Sequence, residues 1–188
     1  MKKNLGNKIE TSSVEPNVSF GKSIIYLVFF AILLFGDQWS KAWVLANDKL
    51  MNGESITVIE NFWNFKYAFN TGAAFSFLAD AEWGIYVLSG LSIIASIAIL
   101  IFMLRKSNWP VLFPLSLSFI LAGSVGNMYD RIVMKGVIDF LDFYYKEYHF
   151  ATFNLADTWI SIGAGLLLIY MIFFYEKDAA RYGLDQGK

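Results

Sequence analysis

Four long apolar stretches constrain this chain more than any other feature. They run from about Ser23 to Leu45, Trp83 to Leu104, Trp109 to Tyr129 and Thr158 to Tyr175, and roughly 20 residues rising about 1.5 Å each suffice to cross a hydrocarbon core. The last three contain no Asp, Glu, Lys or Arg, whereas the first is interrupted by Asp37 and Lys41. With 56% hydrophobic and only 16% charged residues among 188, the runs predict an all-α membrane protein with four transmembrane helices. A secretory signal also pairs a basic start with an apolar run. Here a polar tail of about 20 residues precedes the first run and three more follow, so it reads as a retained helix.

Several function classes drop out. The formal net charge is -1, with Lys and Arg scattered, which offers no basic surface to nucleic acid. Without cysteine, and with His149 the single histidine, the chain lacks a thiol nucleophile, a disulfide framework and a thiolate or His-rich metal site. No metal or cofactor is expected, and no obligate protein partner.

Orientation follows from the basic residues in the short flanking segments. Lys2, Lys3, Lys8, Lys22, Arg105, Lys106, Lys177, Arg181 and Lys188 fall on one side, against Lys49, Lys66, Arg131, Lys135 and Lys146 on the other. Both termini are therefore expected in the cytoplasm. A single domain is expected over residues 21–178, with a disordered tail over 1–20 and a second tail over 179–188. In the first outer connection, after the Asn52-Gly53 turn signal, Ile56 and Val58 and then Phe65, Tyr67 and Phe69 alternate with other residues, a period of two that predicts short strands. Trp63, Trp83 and Trp109 lie near span ends, where indole rings settle at headgroup depth.

Threading the spans collects the odd polar residues in one layer near the outer surface. Asp37 and Lys41 share a face of the first helix at i, i+4. Asn127, Asp130 and Arg131 share one at the end of the third, and Asn154 and Asp157 open the fourth. Each set has a structural reading: a helix ion pair, a neutralised helix terminus and an N-cap. Their coincidence in depth favours a site, because ionisable groups in a membrane are expensive. Two carboxyls in a partly dry site cannot both ionise easily, so one can activate water while its protonated partner polarises a carbonyl. Asp130 stands next to Arg131, which should hold it ionised. In GVIDFLDF (136–143), Asp139 is flanked by Val137, Ile138, Phe140 and Leu141 and is the better candidate for a raised pKa. Asp142 remains without a role, and which acid faces Asp157 stays open at this level.

The ordered segments DQWSK (37–41), NTGAAFS (70–76), GSVGNMYDR (123–131), GVIDFLDF and FNLADTWI (153–160) resemble the motif series of lipoprotein signal peptidase, or signal peptidase II, from about residue 22 to 175. The resemblance implies a bacterial inner-membrane aspartyl endopeptidase that cleaves lipidated prolipoproteins before a diacylglyceryl-modified cysteine, with membrane lipid as surroundings. It implies catalytic roles for Asp139 and Asp157 and places Asn70 and Arg131 against the substrate backbone. Asp37, Lys41, Asn127, Asp130 and Asn154 become polar support. The implied fold adds a small extracytoplasmic β-cradle and a short interfacial helix. Where the family commonly has a Gly pair, this chain has Ala122-Gly123. Two other classes compete: a small proton-coupled transporter, which would place its acids near the midplane, and a lipid-modifying transferase, which would want a metal or nucleophile.

Overall fold

The computed structural model describes residues 20–72, 83–105 and 109–182. All of the expected tail over 1–20 except Phe20, and residues 73–76 of the second motif, lie outside this set. The described elements are, in order, α1 (Phe20–Leu45), α2 (Asp48–Met51), β1 (Ser55–Ile59), β2 (Trp63–Asn70), α3 (Gly84–Arg105), α4 (Leu112–Met134), β3 (Val137–Tyr145), β4 (Tyr148–His149), α5 (Leu155–Phe173) and α6 (Tyr175–Tyr182). Helices α1, α3, α4 and α5 are long and apolar enough to cross a membrane.

Helix α4 is central, packing against α1, α3 and α5. It outruns its apolar stretch by a full turn, carrying Asp130 and Arg131 to Met134, because backbone hydrogen bonding continues where hydropathy falls. Lys135 ends it in the left-handed region at φ 64°, its N–H returning to the Arg131 carbonyl. At its start, Pro114 sits in the first turn, where a missing N–H costs nothing. Small residues bring α4 and α5 together: Ala122 is fully buried, and Gly123 lies where a Cβ would strike the Ala156 carbonyl and the Ile160 side chain. Ala122-Gly123 therefore supports close helix packing.

Two hydrophobic clusters bracket a polar layer. One gathers Tyr26, Met103, Trp109, Phe113, Leu117, Leu121 and Tyr170; the other gathers Val44, Leu50, Ile138, Phe140 and Leu141 beneath the sheet. Along α1 the order is Tyr26, then Asp37 and Lys41, then Val44, and along α4 it is Leu121, then Asn127 and Asp130, then Met134. Trp83 is exposed at a helix start, whereas Trp109 is buried, packed on Phe113 with ring centroids 4.7 Å apart. The large apolar area of its ring is better removed from water inside the bundle than at an interface.

The strands form one antiparallel sheet in the order β1-β2-β3-β4, built from the two connections at one end of the bundle. The two strands expected from period-two alternation are present as β1 and β2. Strand β3 falls on GVIDFLDF, which the sequence suggested only as a connection. Its residues Val137 to Asp142 are all buried, so no alternation announced it. The β2–β3 register slips by one residue between Phe65, opposite Leu141, and Ala68, opposite Asp139. This bulge breaks the aromatic alternation, and Phe69 is left half-exposed.

Candidate active site

A cavity of about 610 Å³ opens at the junction of the sheet, α4 and α5, lined by Asn70, Asn127, Arg131, Asp139 and Asp157 and extending along α5 past Thr158 and Ser161. Every motif in the resemblance contributes to this region or to the polar cluster behind it.

Asp157 is placed by the start of α5. Asn154 is the N-cap, its Oδ1 accepting from the Asp157 N–H at 2.9 Å, while the Asn154 N–H donates to Asp157 Oδ2 at 3.2 Å. This capping box is the structural reading of the pair, and it also orients the site. The Asn154 amide Nδ2 then donates to Asp139 Oδ1 at 2.7 Å. One asparagine thus holds both carboxyls.

Asp139 is placed by β3. Side chains at i and i+2 share a strand face, so Val137, Asp139, Leu141 and Phe143 lie on one side and Ile138, Phe140 and Asp142 on the other. The bulge in β2 puts Ala68 and Asn70 on the Asp139 side, opposite Asp139 and Val137. Asn70 Nδ2 consequently reaches Asp139 Oδ2 at 3.1 Å. Burial first, and the neighbouring Asp157 carboxylate second, push the Asp139 carboxyl up from 3.8 to about 6, against the opposing pull of the Asn70 and Asn154 amides and of Lys41.

Behind the cavity lies a second polar group. Lys41, itself buried, places Nζ 2.9 Å from Asp37 Oδ2, 2.8 Å from Asp130 Oδ2 and 3.1 Å from Asn127 Oδ1. The contacts to Asp37 and Asn127 are hydrogen bonds, and the one to Asp130 is an ion pair. The expected i, i+4 pair is present, but the partner that holds Asp130 is Lys41, not Arg131. Asp130 is fully buried toward α1, whereas Arg131, one position round the helix, turns toward the cavity. Its Nη2 donates to the Gly72 carbonyl at 3.2 Å and its Nη1 to the Asn127 carbonyl at 3.4 Å, and its Nε is buried with no hydrogen-bond partner among the described residues.

Three contributors were not singled out from sequence. Gln38 Nε2 bridges Asp37 Oδ2 and Asp130 Oδ1, each at 3.1 Å. The Ala156 N–H donates to Asp37 Oδ1 at 2.8 Å, tying the start of α5 to α1. Gly126 leaves room for that carboxylate, since a Cβ there would sit 2.5 Å from Asp37 Oδ2. Glycine within a polar helical segment was the available signal for Gly126, and adjacency to Asp37 the signal for Gln38. Asp142, left without a role by the sequence, is buried and accepts from His149 Nδ1 at 2.8 Å and from Asn64 Nδ2 at 3.4 Å. Among the described residues, no group of three or more His, Cys, Asp or Glu could hold a metal ion.

Comparison with known proteins identifies the family. Residues 29–173 match the family model Peptidase_A8, described as signal peptidase (SPase) II. A lipoprotein signal peptidase of Alteromonas mediterranea is 40% identical over 161 residues, covering 85% of this chain and 87% of that protein. One from Yersinia pseudotuberculosis is 42% identical over 155 residues, covering 82% and 89%. Two solved structures of a bacterial membrane enzyme, obtained by the in meso method at 2.3 and 1.9 Å resolution, superpose with TM-scores of 0.67 each. They are 29% and 30% identical, covering 81% and 82% of this chain and 88% and 95% of theirs. The chain is thus a multi-pass membrane protein that belongs to the signal peptidase II family.

Proposed function

We propose that this chain removes the signal peptide from prolipoproteins by hydrolysing the bond before a diacylglyceryl-modified cysteine, with Asp139 and Asp157 as an aspartate dyad that activates water. The observation that carries the reading is the setting of the two carboxyls. Both face one cavity; Asp139 is held by two side-chain amides and Asp157 by one amide and a backbone N–H, and among the described residues neither forms an ion pair with Lys or Arg. Carboxyls so placed share a proton readily: the ionised member accepts a proton from water and the protonated member donates to the scissile carbonyl oxygen. The C–N bond then breaks as the leaving nitrogen takes a proton. Arg131 and Asn70 line the cavity where a peptide backbone would enter, and serve to orient it.

Location is part of the proposal. The sheet end of the bundle is the extracytoplasmic end, both termini are cytoplasmic, and the membrane is the bacterial inner membrane. A lipid anchor keeps the scissile bond at the outer leaflet, and the dyad lies at the sheet end, not the midplane where a proton-coupled transporter would place its acids. The test uses purified enzyme and a diacylglyceryl-modified precursor in detergent, with no ion gradient. Cleavage by the wild type and its loss in Asp139→Asn and in Asp157→Asn, at equal protein levels, is the expected result. Near-normal cleavage by either variant would sink the dyad.

A further inference from the structure

Three asparagines surround the proposed dyad, and an amide side chain can present either an acceptor or a donor. Each is fixed by groups that only donate. Asn70 Oδ1 accepts from the Gly72 N–H at 2.9 Å, which leaves its Nδ2 for Asp139. Asn154 Oδ1 accepts from the Asp157 N–H, which again leaves Nδ2 for Asp139. Asn127 is held differently. Lys41 Nζ reaches its Oδ1 at 3.1 Å and Asn154 Nδ2 reaches the same oxygen at 3.2 Å, so its own Nδ2 meets Asp157 Oδ1 at 2.8 Å. An ammonium has no acceptor, and a turned Asn127 would set its NH2 group against one.

The two carboxyls are therefore unequal. Asp157 receives a backbone N–H on Oδ2 and the locked amide on Oδ1, and it occupies the first turn of α5, where the helix dipole favours negative charge. Asp139 stands on a strand and, among the described residues, receives side-chain amides only on its oxygens. The charged groups around the pair are Asp37 and Lys41 on α1 and Asp130 and Arg131 on α4. Of these, Lys41 alone reaches a dyad carboxyl through a rotatable amide.

We propose that Lys41 is a positioning residue of the dyad: by fixing the Asn127 amide it keeps Asp157 the ionised member and leaves the shared proton on Asp139. The inference rests on the dyad reading above and assigns its protons. The Asp157 carboxylate takes a proton from water as the hydroxyl bonds to the carbonyl carbon, and Asp139 gives its proton to the carbonyl oxygen. On collapse the C–N bond breaks, Asp157 passes its proton to the leaving nitrogen, and Asp139 recovers one from a hydroxyl of the hydrated carbonyl. The pair returns to its starting state.

The test is the pH profile of kcat/KM on the lipidated precursor. Four proteins are compared: wild type, Asn127→Leu, the double variant Lys41→Gln with Asp130→Asn, and all three substitutions together. The double variant removes one cation and one anion, so the formal charge of the cluster is unchanged. Losing one hydrogen bond to the ionised member should move the acid limb of Asn127→Leu up by about one pH unit. The double variant should move it the same way by less, since Asn154 still holds Oδ1. The triple variant should stay where Asn127→Leu stands. An unmoved limb in Asn127→Leu overturns the lock, and so does a double-variant shift that adds in full to the Asn127→Leu shift, as a through-space charge effect would. Should the double variant fail to accumulate, Lys41→Arg replaces it: its donor-only group should leave the limb in place, and a shifted limb overturns the lock. Asp139→Asn and Asp157→Asn run alongside; their activity would remove the dyad itself, whereas the limb positions bear on Lys41 alone.

Discussion

The two faces of β3 carry the same residue type at the same depth and do different things with it. Asp139 is 4% exposed and Asp142 is 2% exposed, and on a strand an i, i+3 pair points to opposite sides. On one side Asp139 meets amides, a second carboxyl and a cavity. On the other, Asp142 meets His149, a ring able to carry positive charge, which stacks on Tyr144 with centroids 5.1 Å apart at 11°. Burial alone therefore does not decide the surroundings a carboxyl meets. What separates the two is whether its partners can neutralise it and whether a substrate can reach it.

The widest separation should appear in rate. Asp139→Asn is expected to lower precursor cleavage roughly 1,000-fold or more, while Asp142→Asn stays within about tenfold, both compared at equal amounts of folded enzyme. Comparable losses from the two would erase the distinction between the faces. Stability should separate them in the opposite sense. A carboxyl raised from 3.8 to about 6 in the folded state binds its proton more tightly there than when unfolded. The stability it contributes is fully present below about pH 4 and is lost as pH rises through about 6. Asp139→Asn removes that dependence, so at pH 8 the variant should be about 3 kcal/mol more stable than wild type, converging with it near pH 4. Thermal unfolding in detergent at the two pH values reads this directly, and a variant less stable at pH 8 would contradict it. The smallest effect belongs to the half-exposed partner: His149→Ala should cost about 1 kcal/mol without changing the Asp139-dependent rate.

Much of this arrangement was legible in the sequence. The apolar runs located four spans because membrane crossing demands length and hydropathy, and the caps and spacings around Asn154, Asp157, Asp37 and Lys41 follow from local helix geometry. Contacts between distant segments were less legible. That Asp130 turns to Lys41 rather than to its neighbour Arg131 depends on which side of α4 faces α1. Strand β3 carried no alternation because both of its faces are covered, and Asp142 found its partner only when β4 folded back beside it. Gln38 and Gly126 lay inside recognised segments, but their roles are set across the α1–α4 contact, Gln38 by Asp130 on α4 and Gly126 by Asp37 on α1.

The extra residue in β2 has a consequence for which changes this segment tolerates. Because strand faces alternate, the number of residues between Phe65 and Asn70 decides, odd or even, whether Asn70 points toward Asp139. Side chains at 66 and 67 can be exchanged without altering that parity. Removing or adding one residue cannot: Asn70 would turn to the far side of the sheet and the Asp139 oxygen would lose its amide. The site is thus guarded there by a count, and substitution scanning alone would pass over it.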